Sequence, residues 1–360
     1  MSEPGDARKP GQARESGDAH EPGQARESGV APEPGEARES GEATEPGEAR
    51  ESGEAAESGE AADPGDRAEP GGTTSPSGKT LLGPAEIRDL AELLGIQPTK
   101  KLGQNFVIDA NTVRRIVKAA GVENGDTVVE IGPGLGSLTL GLLETGASVV
   151  AVEIDKRLAA QLPITVGQLQ PGAELIVVTE DAMRVTELPG APTILVANLP
   201  YNISVPVLLH FMETFRAIQS GLVMVQAEVG QRIAAAPGSK VYGSPSVKAA
   251  WFAVWKTSGQ VSRQVFWPVP NVDSILVGFR LREAEPGTEV ERLATFALVD
   301  AAFQQRRKML RQALAELLGT SARASSIMEQ AGVDPTTRGE QLTVEQFLAV
   351  ARSAIAVGAL

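Results

Sequence analysis

Four consecutive residues, Asn198, Leu199, Pro200 and Tyr201, have the types needed to activate an amine. They directly follow a β-rich run at 193–197, so they should stand at the end of a strand. The Asn198 carboxamide and the Leu199 carbonyl can each accept one amine hydrogen, which frees the nitrogen lone pair for in-line attack on a methyl group. Pro200 fixes the turn, and Tyr201 offers a ring face on which an extruded base can stack. We predict that these four residues are catalytic; an ordinary turn containing Asn and Pro is the alternative.

A glycine-rich turn follows another β-rich run, at 127–131, with glycine at 132, 134 and 136. Glycine lets the backbone pass close to a ligand, and the helix that should follow offers free N–H groups. Dinucleotide sites space their glycines as G-x-G-x-x-G. Here the spacing is G-x-G-x-G with Glu130 two residues before the first glycine, which matches the nucleoside-methionine site of enzymes that use S-adenosylmethionine (SAM). An ordinary strand–helix turn remains an alternative for this segment alone.

Two acidic residues should lie at the same edge of the predicted sheet. Glu153 ends the next β-rich run, 21 residues after Gly132, and can accept both hydroxyl groups of a ribose. Asp181 follows a third run and could accept the amino group of adenine. Ligands of parallel sheets bind at the carboxyl ends of the strands. A surface glutamate is the alternative for position 153.

The elements that must position these residues alternate along the chain. Helical periodicity at 83–95 and 109–121 is followed by strands that alternate with helical stretches, which predicts an α/β fold with a parallel, doubly wound sheet. The strands are nearly continuous apolar runs, as expected where helices cover both faces. Two later runs are joined by a short Pro-Val-Pro-Asn link and should pair antiparallel, giving seven strands: 127–131, 148–154, 175–179, 193–197, 222–226, 259–267 and 272–282.

Beyond this predicted domain, at 79–284, the pattern contains only helices. The helical segments of this second domain, 285–360, are predicted at 289–303, 306–319, 321–332 and 343–356. One of them carries Arg306, Arg307, Lys308 and Arg311. By composition such a basic run is more often a solvated helix face than an RNA site.

The first 78 residues differ from the rest. They hold 19 acidic and 7 basic residues, and thus nearly all of the net charge of −13, and they repeat a 12-residue unit four times between 13 and 60. They contain no Phe, Tyr, Trp, Leu or Ile. Such a segment cannot bury enough apolar surface to offset its chain entropy, so we predict a disordered tail. A passive solubilising role and a regulatory or partner-binding role both stay open.

Composition removes several classes of function. The chain has no Cys and only two His, His20 and His210, so thiol catalysis, cysteine-ligated metals and histidine triads are disfavoured, and we expect no metal. His210 should be packed or exposed rather than catalytic. No apolar run approaches the roughly 18 residues of a membrane span, and the first residues have no apolar signal core. We therefore expect a cytoplasmic protein.

Taken together, these segments closely resemble the small-subunit ribosomal RNA adenine N6,N6-dimethyltransferases. The resemblance runs from about residue 81 to about residue 354 and is carried by the stretches at 100–106, 128–139, 152–155, 180–183, 198–204, 239–247, 266–274 and 303–314. It implies a Rossmann-like, seven-stranded SAM-dependent methyltransferase fold with a small helical C-terminal domain. It also implies dimethylation of N6 of two adjacent adenosines near the 3′ end of 16S rRNA, on immature 30S particles and as a monomer.

Residue roles carried over from the family fall into two sets. The SAM contacts would be Asn105, Val107, Gly132, Gly134, Glu153, Asp181 and Asn198, with Val107 standing where the family usually has Leu. The RNA contacts would be Lys100, Lys101, Arg232, Arg306, Arg307, Lys308 and Arg311.

Other functions remain possible at this stage. The macrolide-resistance branch dimethylates an adenine of large-subunit rRNA, although the segments at 198–204 and 303–308 favour the small-subunit branch. DNA adenine methyltransferases share the tetrapeptide but typically carry a larger recognition domain. A non-catalytic RNA-binding or ribosome assembly factor is disfavoured by the intact set of Gly132, Glu153, Asn198 and Tyr201, and a nicotinamide dehydrogenase by the glycine spacing.

Overall fold

The computed structural model describes residues 80–97, 105–200 and 203–360, which all lie within one compact unit. The tail that the sequence predicts to be disordered lies outside the described residues, so that prediction stands as it was made.

A seven-stranded sheet forms the centre of this unit, as the sequence predicts. Its strand order is β4-β3-β2-β5-β6-β9-β7, and a separate two-stranded sheet pairs β1 with β8. The strands are β1 Phe106–Val107, β2 Thr127–Ile131, β3 Ser148–Val152, β4 Leu175–Val178, β5 Ile194–Asn198, β6 Ser220–Gln226, β7 Ala253–Val261, β8 Phe266–Trp267 and β9 Ser274–Leu281.

The five strands from β2 to β6 are parallel, and β9 pairs antiparallel with both β6 and β7. Alternate residues of β2 enter different cores: Val128 packs on one side of the sheet, and Val129 and Ile131 pack on the other. Helices therefore cover both faces, which explains the continuous β-branched runs.

The helices of the first part of the chain frame this sheet. Asp109 caps one of them by accepting a hydrogen bond from the Thr112 amide (2.8 Å), and Gly121 ends it in the left-handed conformation. The helices predicted at 83–95 and 109–121 are both present. The helices are α1 Pro84–Leu93, α2 Ala110–Ala120, α3 Ser137–Leu143, α4 Lys156–Leu169, α5 Ser204–Thr214, α6 Ala227–Ile233 and α7 Ser244–Phe252.

The described residues after 288 contain no strand, and their regular elements are helices and one short 3₁₀ helix, Gly339–Gln341. They pack into the same core as the sheet, because Trp251 of α7 and Phe347 belong to one buried cluster. The Tyr242 hydroxyl also donates to the Leu342 carbonyl (2.8 Å). The helices are α8 Glu289–Gln304, α9 Leu310–Ala313, α10 Ala315–Leu318, α11 Ser321–Gln330 and α12 Val344–Ala356.

The single strand predicted at 259–267 is wrong. The long strand β7 ends at Val261, and a 3₁₀ turn at Arg263–Val265 separates it from β8. The Asp273 carboxylate accepts from the Arg263 amide (3.0 Å), and this bond holds the chain out of the ladder. The two residues of β8 then pair with β1 rather than with the main sheet.

The single helix predicted at 306–319 is also wrong. Residues 305–308 form a turn, and the helical stretch that follows is divided into α9 and α10. The Leu310 amide donates to the Thr337 carbonyl (2.7 Å) and the Arg311 amide to the Pro335 carbonyl (3.2 Å). These bonds to a neighbouring loop take the donors that a continuous helix would use.

No helix in the described ranges is long and apolar enough to cross a membrane.

Candidate active site

A cleft of about 280 Å³ opens at the carboxyl ends of β2, β3 and β5. The parallel register of these strands brings their last residues to one edge of the sheet. Nine of the residues that the sequence singles out line the cleft: Asn105, Val107, Gly132, Gly134, Glu153, Asp181, Asn198, Leu199 and Pro200. Tyr201, the tenth, lies outside the described residues.

Glu153 follows the last residue of β3 and is only 6% exposed. Its Oε2 accepts a hydrogen bond from the Gly134 amide (3.1 Å), and its Oε1 accepts one from the Asp155 amide (2.9 Å). Each oxygen keeps a further lone pair with which it could accept a hydroxyl. Burial raises the pKa of the Glu153 carboxyl, and the backbone donors of Asp155, Gly134 and Ile154 oppose that rise.

The glycine-rich turn brings backbone close to other groups around the cleft. Gly134 has φ +60°, and a Cβ on it would lie 2.9 Å from Cε1 of Phe106. Gly136 has φ +96°, and a Cβ there would lie 2.6 Å from Cδ1 of Leu162. A side chain at either position would meet both a backbone conformation that favours glycine and a steric clash.

Glu130 lies in the middle of the sheet, is 1% exposed and also lines the cleft. Its Oε2 accepts a hydrogen bond from the Thr139 hydroxyl on α3 (2.5 Å). Burial raises the pKa of Glu130 to about 8; the Thr139 hydroxyl opposes this rise, and the neighbouring Glu153 charge adds to it. The side chain is therefore a neutral acid at pH 7 and adds no negative charge to the cleft.

Asp181 stands in a tight turn after β4. Its Oδ1 accepts from the Met183 amide (2.9 Å), and its carbonyl accepts from the amides of Arg184 (2.8 Å) and Val185 (3.1 Å). The Arg184 guanidinium lies 3.9 Å from its Oδ2. The turn is thus closed on itself, with the carboxylate at the rim of the cleft.

Asn198 is the last residue of β5, and its orientation is fixed by one bond. Its Nδ2 donates to the Asn105 carbonyl (3.1 Å). Because a carbonyl can only accept, the amide group must point its nitrogen there and keep Oδ1 as an acceptor. The Leu199 amide donates to the Met224 carbonyl (3.0 Å), which fixes the start of the turn.

The cleft has polar groups that suit a nucleoside carrying a methionine-like tail. Ser137 Oγ lines the cleft, is buried, and has no hydrogen-bond partner within the described residues. A buried hydroxyl without a partner is costly, so its presence here suits a polar ligand. Together with the spare lone pairs of Glu153 and the side-chain-free backbone of Gly132 and Gly134 in the cleft wall, it fits SAM.

The predicted RNA-binding residues differ in their exposure and in their bonding partners. Arg306 is half-buried, because its guanidinium donates to the Glu340 carboxylate (2.8 Å) and to the Lys240 carbonyl (2.7 Å). Arg307 and Lys308 are exposed in the turn at 305–308, and Arg311 is half-exposed on α9. Arg232 lies on α6 and pairs with Glu228 (2.8 Å). Lys100 and Lys101 lie outside the described residues.

Two polar residues, Ser137, which lines the cleft, and Thr139, which bonds to Glu130, were not identified from the sequence. Both lie at the start of α3 but only two positions apart, so helix register does not place them on the same face. Glu130 was noted only as part of the glycine motif, and its buried, protonated state has no sequence signal. No group of three or more acidic or histidine residues suited to a metal ion occurs in the described ranges.

The geometry can be set beside known proteins. The family model for ribosomal RNA adenine dimethylase matches residues 96–355. A ribosomal RNA small subunit methyltransferase A from Leifsonia xyli subsp. xyli is 70% identical over 273 residues, which cover 75% of this chain and 98% of the relative. One of the same name from Streptomyces coelicolor is 59% identical over 275 residues, with 75% and 96% covered.

Solved structures share the fold. A dimethyladenosine transferase from Plasmodium falciparum matches with a TM-score of 0.60 at 23% identity, over 69% of this chain and 97% of that one. The 23S rRNA methyltransferase ErmE matches with a TM-score of 0.53 at 24% identity, over 69% and 99%. At these identities the likeness concerns architecture alone.

Proposed function

The chain belongs to the ribosomal RNA adenine dimethylase family, and we propose that it dimethylates N6 of two adjacent adenosines near the 3′ end of 16S small-subunit rRNA. It is a SAM-dependent rRNA adenine dimethyltransferase. The choice of the small subunit rests on the relatives from Leifsonia and Streptomyces, whose names specify that subunit.

One observation carries the proposed chemistry: the bond from Asn198 Nδ2 to the Asn105 carbonyl, which leaves Asn198 Oδ1 as an acceptor in the cleft. An exocyclic amine of adenine is a poor nucleophile, because its lone pair is delocalised into the ring. Acceptance of its two hydrogens by Asn198 Oδ1 and the Leu199 carbonyl holds the nitrogen in place and directs its lone pair into the cleft.

The other residues of the cleft bind and orient the cofactor. SAM supplies a methyl group on a positively charged sulfur, which makes that carbon electrophilic. Glu153 offers acceptors for the ribose hydroxyls, and Asp181 offers one for the adenine amino group. Tyr201, by its place in the tetrapeptide, would stack the target base.

Proton removal needs no dedicated base. The one histidine in the described part of the chain, His210, has its Nε2 on the Val185 carbonyl, and Glu130 is protonated at pH 7. The methylated nitrogen is acidic enough to lose its proton to water.

We further propose the setting in which the enzyme works. Its substrate would be an immature 30S particle in the cytoplasm, and it would act as a monomer without a metal ion. Arg307, Lys308 and Arg311, with Lys100 and Lys101, would contact rRNA phosphates.

Labelled SAM tests the function. The purified full-length chain should transfer up to four methyl groups to 30S particles from a strain that lacks this modification, and digestion should yield N6,N6-dimethyladenosine from two adjacent positions. Naked 16S rRNA and large subunits serve as parallel substrates. Label that enters only large-subunit rRNA would support the macrolide-resistance activity instead, and absence of transfer with intact SAM binding would support a non-catalytic assembly factor.

A further inference from the structure

His210 lies on α5, the helix that begins three residues after Tyr201. It is half-buried and faces the turn that follows β4 rather than the cleft itself. The rings of Phe211 and Phe215 meet its imidazole edge-on, with centroids 6.0 and 6.4 Å away. The imidazole therefore has a defined orientation although it has no place in the chemistry.

Both ring nitrogens of His210 have partners. Nε2 lies 2.8 Å from the Val185 carbonyl oxygen, and Nδ1 lies 3.3 Å from the Thr214 hydroxyl. Because the carbonyl can only accept, Nε2 must carry a hydrogen, and Nδ1 is then the acceptor for Thr214 in the neutral ring. The Val185 carbonyl therefore fixes this tautomer, and the Thr214 hydroxyl, one helical turn away, donates to Nδ1.

Val185 closes the turn that carries Asp181. Its amide donates to the Asp181 carbonyl (3.1 Å), as does the Arg184 amide (2.8 Å), and its side chain is fully buried. Asp181 and Ala182 line the cleft on this side. A donor that holds the Val185 carbonyl therefore holds the far end of the segment that forms the cofactor wall.

The same helix reaches the cleft at its other end. Ile203, which precedes α5, and Val207, on its second turn, both line the cleft beside Leu199 and Pro200. Hence the bond from His210 to Val185 joins two walls: the turn at 181–185 and the helix that follows the tetrapeptide. Val185 also packs in one core cluster with Val207 and Phe211 of α5. The other hydrogen bonds of the turn stay within it, so His210 adds a directional tie to this apolar contact.

We propose that His210 is a positioning residue, whose Nε2–H ties the cofactor-binding turn to α5 and so sets the place of the SAM adenine relative to the target amine. The inference rests on the proposed roles of Asp181 and Asn198. It assigns His210 no proton transfer.

Three variants separate the Nε2–H donor from the ring. His210→Phe keeps an aromatic ring among Phe211 and Phe215 but cannot donate. His210→Gln restores an N–H donor near the Nε2 position. Thr214→Val removes the partner of Nδ1 and leaves the bond to Val185 in place, so it is the matched control.

We expect His210→Phe to raise the dissociation constant of SAM about tenfold in calorimetric titration, the cost of one hydrogen bond. It should also speed amide hydrogen exchange at 183–185 and leave RNA binding without SAM unchanged. His210→Gln and Thr214→Val should both stay within about threefold of the parent protein for SAM. The melting temperature of each variant should fall by less than about 4 °C.

Several results would overturn the proposal. Parent-like SAM affinity and exchange in His210→Phe would show that the bond positions nothing. Equal losses of SAM affinity in His210→Phe and His210→Gln would show that the missing N–H donor does not cause the loss. If His210→Phe also binds RNA more weakly and has a lower melting temperature, His210 has a general structural role. Asp181→Ala, which has no side-chain acceptor, tests the premise by itself: if it leaves SAM affinity unchanged while His210→Phe weakens it, the role of Asp181 fails and the link through His210 survives.

Discussion

The cleft at the sheet edge and the basic turn at 305–308 differ in how their polar groups are held. In the cleft, Glu153 and Asn198 are each bonded to backbone groups. In the basic turn, Arg307 and Lys308 project into solvent, while Arg306 is engaged with Glu340 and the Lys240 carbonyl. Residue type and spacing therefore predict the position of a functional group well where the backbone holds that group. They predict the role of a charged side chain poorly where it lies on the surface.

The largest effect should follow from loss of the amine-orienting group in the cleft. Asn198→Ala should slow methyl transfer about a thousandfold, since a preorganised acceptor acts mainly in the transition state. Single-turnover transfer of labelled methyl to 30S particles would measure this. Calorimetry should find SAM affinity changed by less than about threefold; a large loss of SAM affinity would mean that Asn198 acts chiefly through its bond to Asn105.

The buried acid of the cleft should show itself in the pH dependence of stability. The pKa of Glu130 is raised from 4.5 to about 8, so the folded protein holds a proton that the unfolded chain releases between these values. The free energy of unfolding contributed by this group must therefore fall as pH rises. Glu130→Gln has no such proton. From pH 5 to pH 7, its free energy of unfolding should therefore rise by roughly 3 kcal/mol relative to that of the parent protein.

Denaturant titrations at several pH values would test this, with an exposed carboxyl as the control. Hydrogen bonds from the Arg114 guanidinium hold the pKa of Glu144 below its ordinary value. Its contribution is present above pH 4.5 and is lost as pH falls, so Glu144→Gln should lose stability relative to the parent as pH rises through that region. A pH-independent difference between Glu130→Gln and the parent would show that Glu130 is ionised in the fold.

Loss of the buried ribose acceptor should have an intermediate effect. Glu153→Ala should weaken SAM by about 1–3 kcal/mol, because it removes a hydrogen-bonding partner and leaves the Gly134 amide unsatisfied. Asp155→Asn is the matched control, since Asp155 stands two residues away and pairs with Arg157 (2.7 Å). Isothermal titration with SAM compares them; equal affinities would remove Glu153 from the site.

The smallest effects should come from the basic turn, and they should be of two kinds. Arg307→Ala and Lys308→Ala should each weaken rRNA binding and lower the salt dependence by about one ion, without loss of stability. Arg306→Ala should instead lower the melting temperature, because it breaks the bonds to Glu340 and to the Lys240 carbonyl. Filter binding across a salt series, with melting curves, separates the two; a full salt effect from Arg306→Ala alone would reverse the assignment.

Much of the fold could be predicted because its strands are regular. The run at 127–131 is a strand over those residues, and the antiparallel pair near the end of the sheet is present. The run at 148–154 is shorter than predicted, since Glu153 and Ile154 leave the strand to form the cleft rim. The two-residue strands β1 and β8 have too little length for any periodicity, and only tertiary contact reveals them.

Site residues at strand ends could be predicted from the sequence, whereas their long-range bonding partners could not. Glu153 and Asn198 could be located because Asn198 ends a strand and Glu153 directly follows one, at the same edge of the sheet. The bond from Asn198 to Asn105 joins residues 93 positions apart, and the role of His210 depends on a turn 25 residues away. Such long-range partners leave no pattern in one sequence, and the same holds for the pairing of Arg306 with Glu340.

Primer extension on small-subunit rRNA tests the central claim most directly, in cells that lack the gene and carry either the parent gene or the Asn198→Ala form. The account predicts a strong stop at two adjacent adenosines near the 3′ end with the parent gene, and read-through both without the gene and with Asn198→Ala. A stop that persists without the gene, or that the Asn198→Ala form restores in full, would contradict it.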